Sequence, residues 1–257
     1  MAFFRCGKNN NGGEVEYKVW TVKIDESNSN PLSCCTYADD AVGMTKGSSD
    51  WDDIFGYKPC IMKDGVVVGY LNPDNFSKYE DGTTAPITGS NCDTMIEFPR
   101  MGLNISKSDS VITVSLTNNP NDENFCYFAH NRGETQKDYF YLGAYLACVL
   151  NSQYIYSQPN RSVAEYKTLT NFITYAHNRG TGYEIMGFYQ WTYIQALYIL
   201  KYGNLNSQAA LGQGFVNANV RKLTGITATK GMCYGDTSSD ADRVKLFGLE
   251  DAWGNLA

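Results

Sequence analysis

The chain has 257 residues, 43% of them hydrophobic and 19% charged, which is enough apolar material for one large domain or two ordinary ones and too much for a disordered chain. A net charge of −6 with no run of Lys or Arg argues against a nucleic-acid partner. The N-terminus is too short and polar for a secretion signal and no apolar run reaches membrane-spanning length. Folding in a cytoplasm, without membrane insertion, is therefore expected.

In chain order, the first signal is alternation. Val15, Tyr17, Val19 and Thr21 fall on one face, with Trp20 and Val22 on the other, which predicts a strand. Asp64-Gly65 between two β-prone runs predicts a hairpin over 60–68. Thr94–Glu97 and Val111–Leu116 read as further strands. Polar stretches over 25–31, 47–53, 73–90 and 117–123 read as loops. The first ~120 residues thus look like short strands with long loops.

The second half changes character. The apolar, aromatic run from Asp138 to Leu150 predicts a buried strand. Leu169, Phe172, Ile173 and Ala176 follow helical spacing, with Gly180 placed to stop the helix. A second helix is expected over 186–202, closed by Gly203, and apolar on most sides, so that Trp191 belongs to its buried core. A long polar loop from Asn204 and a final strand over 244–249 complete the reading.

Chemistry-bearing motifs are scarce. There is no nucleophile elbow, no zinc-protease pair, no phosphate loop and no dinucleotide fingerprint. The eight cysteines form no Cys-x-x-Cys pair and neither His130 nor His177 flanks a spaced pair, so free thiols are expected and zinc is disfavoured. Cys126 and His130, four apart, would need an electropositive pocket to act as a thiolate pair. His177 is placed to hydrogen-bond the last carbonyls of its helix. The acidic clusters Asp50, Asp52, Asp53 and Asp74, Glu80, Asp81 lack EF-hand spacing and read as solvated loops. Aromatics make up 14% of the chain and 19 of them are Tyr. Those that remain exposed beside Asn, Gln and Asp form platforms for sugar rings or protein partners.

Several strings carry a resemblance. DYFYLGAY (138–145), RGTGY (179–183), YGNLNSQ (202–208) and GLEDAWGN (248–255) together resemble tail-fibre-like proteins of phages and prophages of Gram-positive and gut bacteria. GLEDAWGN is similar to a signature of the formylglycine-generating-enzyme branch of the C-type lectin fold. In the first half YADDAVGM (37–44), GSSDWD (47–52) and KPCI (58–61) are similar to other phage stretches. The resemblance implies an α+β chain: a β-rich virion-attachment and oligomerisation domain over 1–125, then a C-type-lectin-like domain over 126–257 with two helices on a small antiparallel sheet. The Trp-Glu-Trp and final strands that follow this signature in those relatives are absent here, as is the oxidases' C-terminal cysteine pair. The lectin-like unit is therefore expected to be non-enzymatic and incomplete at its C-terminus.

The expected function is a virion tail or fibre protein, made in the host cytoplasm. It would recognise a bacterial surface glycan or protein through its loops, as a homo-oligomer with trimers the usual arrangement. Its partners would be other tail or fibre subunits and the receptor. One alternative is a purely structural virion decoration or connector protein without receptor binding; another is the variable protein of a diversity-generating retroelement. No cofactor is implied; a structural calcium is compatible with the acidic loops. The candidate binding residues are Asn217, Asn219, Tyr234 and Trp253, with no catalytic or metal-ligating residue expected.

Overall fold

A computed structural model describes residues 16–89, 91–216 and 221–255. Its secondary structure is mixed, with antiparallel sheets and four helices among the described residues.

The expected first strand is β1 (Val19–Asp25), whose Trp20, Val22 and Ile24 face the core; Val15 lies outside the described residues. Thr21, on the other face, is also buried, and its hydroxyl meets that of Ser115 at 2.7 Å. β2 (Cys35–Asp39) follows, then α1 (Asp50–Phe55), a helix where a loop was expected; Trp51 and Phe55 bury its inner face. β3 (Lys58–Lys63) and β4 (Val66–Asn72) form the expected hairpin, with Asp64 at φ 49° and Gly65 at φ 79°. Both values suit the turn that matches strand twist. β5 (Asn75–Tyr79) lies in the stretch read as loop. β6 (Cys92–Pro99), β7 (Gly102–Ser108) and β8 (Val111–Thr117) come next.

The chain then makes a 3₁₀ turn (Phe128–His130), the small hairpin of β9 (Asn131–Arg132) and β10 (Thr135–Gln136), and β11 (Tyr139–Gly143). A second small hairpin pairs β12 (Cys148–Leu150) with β13 (Tyr154–Tyr156). The two expected helices are α2 (Leu169–His177) and α3 (Phe188–Tyr202). Thr168 and Asn171 form a reciprocal capping box on α2. Gly203, at φ 49°, ends α3 in the left-handed region that favours glycine. A one-turn helix, α4 (Ser207–Ala210), follows. The final strand expected over 244–249 is instead a tight hairpin of β14 (Lys245–Leu246) and β15 (Leu249–Glu250). Phe247 at φ 53° and Gly248 at φ 83° reverse the chain between them.

The strands make a four-stranded sheet, β2-β1-β8-β7, and a five-stranded sheet, β11-β6-β3-β4-β5. The pairing of β11 with β6 crosses position 125, and the hydrophobic core draws on residues from both sides of it. A file of rings shows the continuity. Trp51, Phe55, Phe247, Tyr57, Phe98, Phe140 and Tyr193 follow one another at centroid separations of 5.1 to 5.9 Å. Aromatic pairs at such distances add about 0.5–1.5 kcal/mol each beyond the area they bury. The C-terminal hairpin is thus wedged, through Phe247, between α1 and the five-stranded sheet.

Candidate recognition surface

The described residues of 204–216 and 221–255 have little regular structure, so their backbone polar groups must find partners elsewhere. Many pair with other backbone groups, as Gln213 with Asp236 and Tyr234 with Lys245, and those of 222–227 converge on a buried cluster of charge. The Glu250 carboxylate accepts from the backbone N–H of Gly225 and of Thr227 at 2.7 Å each, and from the Thr227 hydroxyl at 2.7 Å. The Arg243 guanidinium donates to Glu250 at 2.9 Å, to both oxygens of Asp251 and to the Leu223 carbonyl at 3.2 Å. The Arg243, Glu250 and Asp251 side chains are each 3% exposed or less. Asn255 donates to Asp251 at 2.8 Å and accepts from the Lys222 N–H at 3.1 Å. Lys245 donates to the Thr227 carbonyl at 3.1 Å, its ammonium 3.5 Å from the centre of the Phe76 ring. Burial drives Lys245 down to about 7 and Asp251 up to about 6.

The GLEDAWGN string has a physical reading here. Glu250, Asp251 and Asn255 fasten the preceding loop, while the glycines allow tight approach. A Cβ on Gly254, which sits at φ 83°, would meet the Phe215 nitrogen at 2.7 Å. Sequence reading missed Arg243, Glu250 and Asp251 as a unit. The available signal was the alternation of Arg243 and Lys245 with the apolar Val244 and Leu246.

The fastened segment forms one wall of a cleft of about 230 Å³ against α3. Trp253, one of the expected residues, lines it. Its indole N–H donates to the Gly212 carbonyl at 2.9 Å, so the ring is pinned with a face available. Tyr198 lies edge-on to it at 6.3 Å. Trp191 lines the same cleft; it is partly buried and packs against the core as expected, with the rest of the ring at the cleft. The reason is the helix's face: Tyr193, Ile194, Ala196, Leu197 and Leu200 point inward, leaving Trp191, Gln195 and Ile199 on the outer stripe. Gln195 is exposed and Ser207 faces it from α4 as a further lining residue.

Asn217 and Asn219 lie outside the described residues. Tyr234 is half-buried and is not a wall of the cleft. Its hydroxyl donates to Asp242 at 2.6 Å and Lys230 sits 4.9 Å over its ring. The bond to Asp242, reinforced by burial, pushes Tyr234 up to about 12.

A second exposed feature is aromatic. Phe188, 77% exposed, and Phe128 and Tyr189, each about half exposed, lie at ring separations of 5.1 and 5.7 Å, where α3 begins beside the 3₁₀ turn.

The histidines behave differently from each other. His130 is buried, with its ring edge-on to Phe140 and Tyr193, and one nitrogen 3.1 Å from the Pro99 carbonyl. Burial pulls it down to about 4. His177 contacts Glu184 at 2.9 Å instead of capping its helix. Among the acidic clusters, Asp52 is paired with the buried Lys201 and the Tyr57 hydroxyl, and Asp81 bonds to Thr83 within its own turn. Among the described residues no group of His, Cys, Asp and Glu is arranged to hold a metal, seven cysteines are unbridged, and no helix is long and apolar enough to cross a membrane.

Comparison of the chain with family models, with curated proteins and with solved structures finds no match in any of the three.

Proposed function

We propose that this chain is a recognition protein of a phage virion, a tail or fibre subunit that binds the bacterial surface without catalysing a reaction. In this reading the C-terminal part is a C-type-lectin-like unit, the chain works as a homo-oligomer, and weak individual contacts sum through avidity. The observation that carries the reading is the cleft beside α3. Two indole rings face it, and the irregular segment that forms one wall is fastened by the buried Arg243–Glu250–Asp251 cluster. A pre-formed concave surface with few polar groups is the usual form of a ligand site. A fastened loop presents its side chains at low entropic cost.

Binding of the purified, fluorescently labelled protein to a panel of intact gut bacteria tests this. Retention on particular strains, lost when Trp191 and Trp253 are replaced by Ala, is the expected result. Binding to no strain would overturn it.

The exposed rings Phe128, Phe188 and Tyr189 favour a second reading, a connector that docks on another virion subunit. Exposed clustered aromatics are characteristic anchors of protein interfaces. In that case Phe188→Ser would abolish co-assembly and leave cell binding untouched.

A further inference from the structure

The walls of the α3 cleft are specific enough to name a ligand class, in an inference that rests on the recognition reading above. Apolar surface comes from Trp191, Trp253, Ile199 and Leu205. Three polar groups in the lining make no hydrogen bond among the described residues: the Trp191 indole N–H, the Gln195 amide and the Ser207 hydroxyl. No charged side chain lines the cleft.

Each feature excludes a class of ligand. A purely apolar ligand would strip water from Gln195 and Ser207 and return no hydrogen bond, which costs affinity. An anionic ligand would find no counter-charge, and the chain's net charge of −6 repels anions at longer range; an organic cation would be held by the indole faces alone and would leave the Gln195 carbonyl and Ser207 without partners. A proline-rich peptide stacks on indoles too, but it needs an extended groove, longer than a cleft of about 230 Å³. A ligand with an apolar C–H face, a rim of hydroxyls and no net charge satisfies every wall. At about 230 Å³ the cleft is smaller than ordinary drug-sized pockets, so it takes a single ring rather than a chain.

We infer that the cleft between α3, α4 and Trp253 binds one neutral sugar residue, stacked on the indole rings and hydrogen-bonded by Gln195 and Ser207. Gln195 accounts for selectivity, since its amide can donate to one hydroxyl and accept from another. The indoles supply most of the affinity.

Saturation-transfer NMR on the full chain tests the inference with named probes: maltotriose, cellotriose, mannotriose and chitotriose, with sialyllactose and a heparin tetrasaccharide as charged controls. The expected result is transfer to one or more neutral probes and none to the charged ones. Gln195→Ala, at an exposed helix position, should weaken that binding about tenfold, the loss of roughly one net hydrogen bond, with the thermal midpoint unchanged. Trp191→Ala should remove it. Absence of transfer to every neutral probe, preference for the charged probes, or binding unchanged in Gln195→Ala would each overturn the inference. The two claims fail separately. Retention on bacteria that survives Gln195→Ala leaves surface recognition standing and removes the sugar site. Sugar binding without retention on any strain does the reverse.

Discussion

Around Phe98 the chain buries ring on ring; around Glu250 it buries charge on charge. The sheet body is held by apolar area and the file of aromatics from Trp51 to Tyr193. The segment from 204 to 255 adds Val244, Leu246 and Phe247 to the core, but its irregular backbone is fastened by hydrogen bonds that converge on Glu250, Arg243 and Asp251. Apolar packing tolerates small shifts, whereas a buried charge demands every partner at once. The first region can therefore rely on regular strands. The second needs particular residues at particular positions.

The largest expected effects set the two regions side by side. Arg243→Met leaves two buried carboxylates without their cation and should cost about 3–5 kcal/mol. Phe98→Ala opens the ring file and should cost a similar 3–5 kcal/mol, roughly. Urea denaturation measures both, and pH separates them. At low pH, where the Asp251 carboxyl, raised to about 6 by burial, takes up a proton, the Arg243→Met deficit should shrink while the Phe98→Ala deficit stays.

Next in size is a proton-linked effect inside the aromatic region. Burial holds His130 near 4 against an ordinary 6.5, so the folded state keeps the ring neutral. The unfolded chain then binds the extra proton between those values, and stability falls as pH drops from 6.5 toward 4. At 1.36 kcal/mol per unit this amounts to about 3 kcal/mol. Denaturation of His130→Gln and of the native chain at pH 7 and pH 4 should show the gap between them narrowing by that amount. Asp251 works in the opposite sense: with its carboxyl raised from 3.8 to about 6, its contribution is greatest below 3.8 and is lost as pH rises through 6. The two regions thus oppose each other across the acid range.

Smaller effects sharpen the contrast at the surface. Thr168→Ala removes one half of the α2 capping box and should cost about 1 kcal/mol in thermal denaturation. Lys107→Ala breaks an exposed pair with Glu26 and should cost below about 1 kcal/mol, with the loss vanishing at high salt.

How much was legible follows the same division. The Asp64-Gly65 hairpin, α2 and α3 were readable because their signals are local: a turn dipeptide, a helical period, a closing glycine. α1 was not, since six residues carry too little period and its three aspartates read as loop; Trp51 and Phe55 hold it only once the sheets are beneath them. The expected 244–249 strand is interrupted because Phe247 adopts a positive φ, which nothing in a phenylalanine announces. Trp253 was singled out for its nearness to the polar loop, while its motif argued for a structural turn; Trp191, read as core, packs against the core on one side and lines the cleft on the other, which periodicity alone does not separate. The Arg243–Glu250–Asp251 cluster was hidden because its members look like solvated charges until Gly225 and Thr227 are folded onto them.

Hydrogen exchange at the Gly225 and Thr227 amides tests most directly whether the irregular segment is fastened. Both N–H groups point at Glu250. If the cluster fixes the loop, they exchange slowly in the native chain, and Glu250→Gln accelerates them while the amides of β6 keep their protection. Exchange of Gly225 and Thr227 at the rate of a solvated loop in the native chain would contradict it.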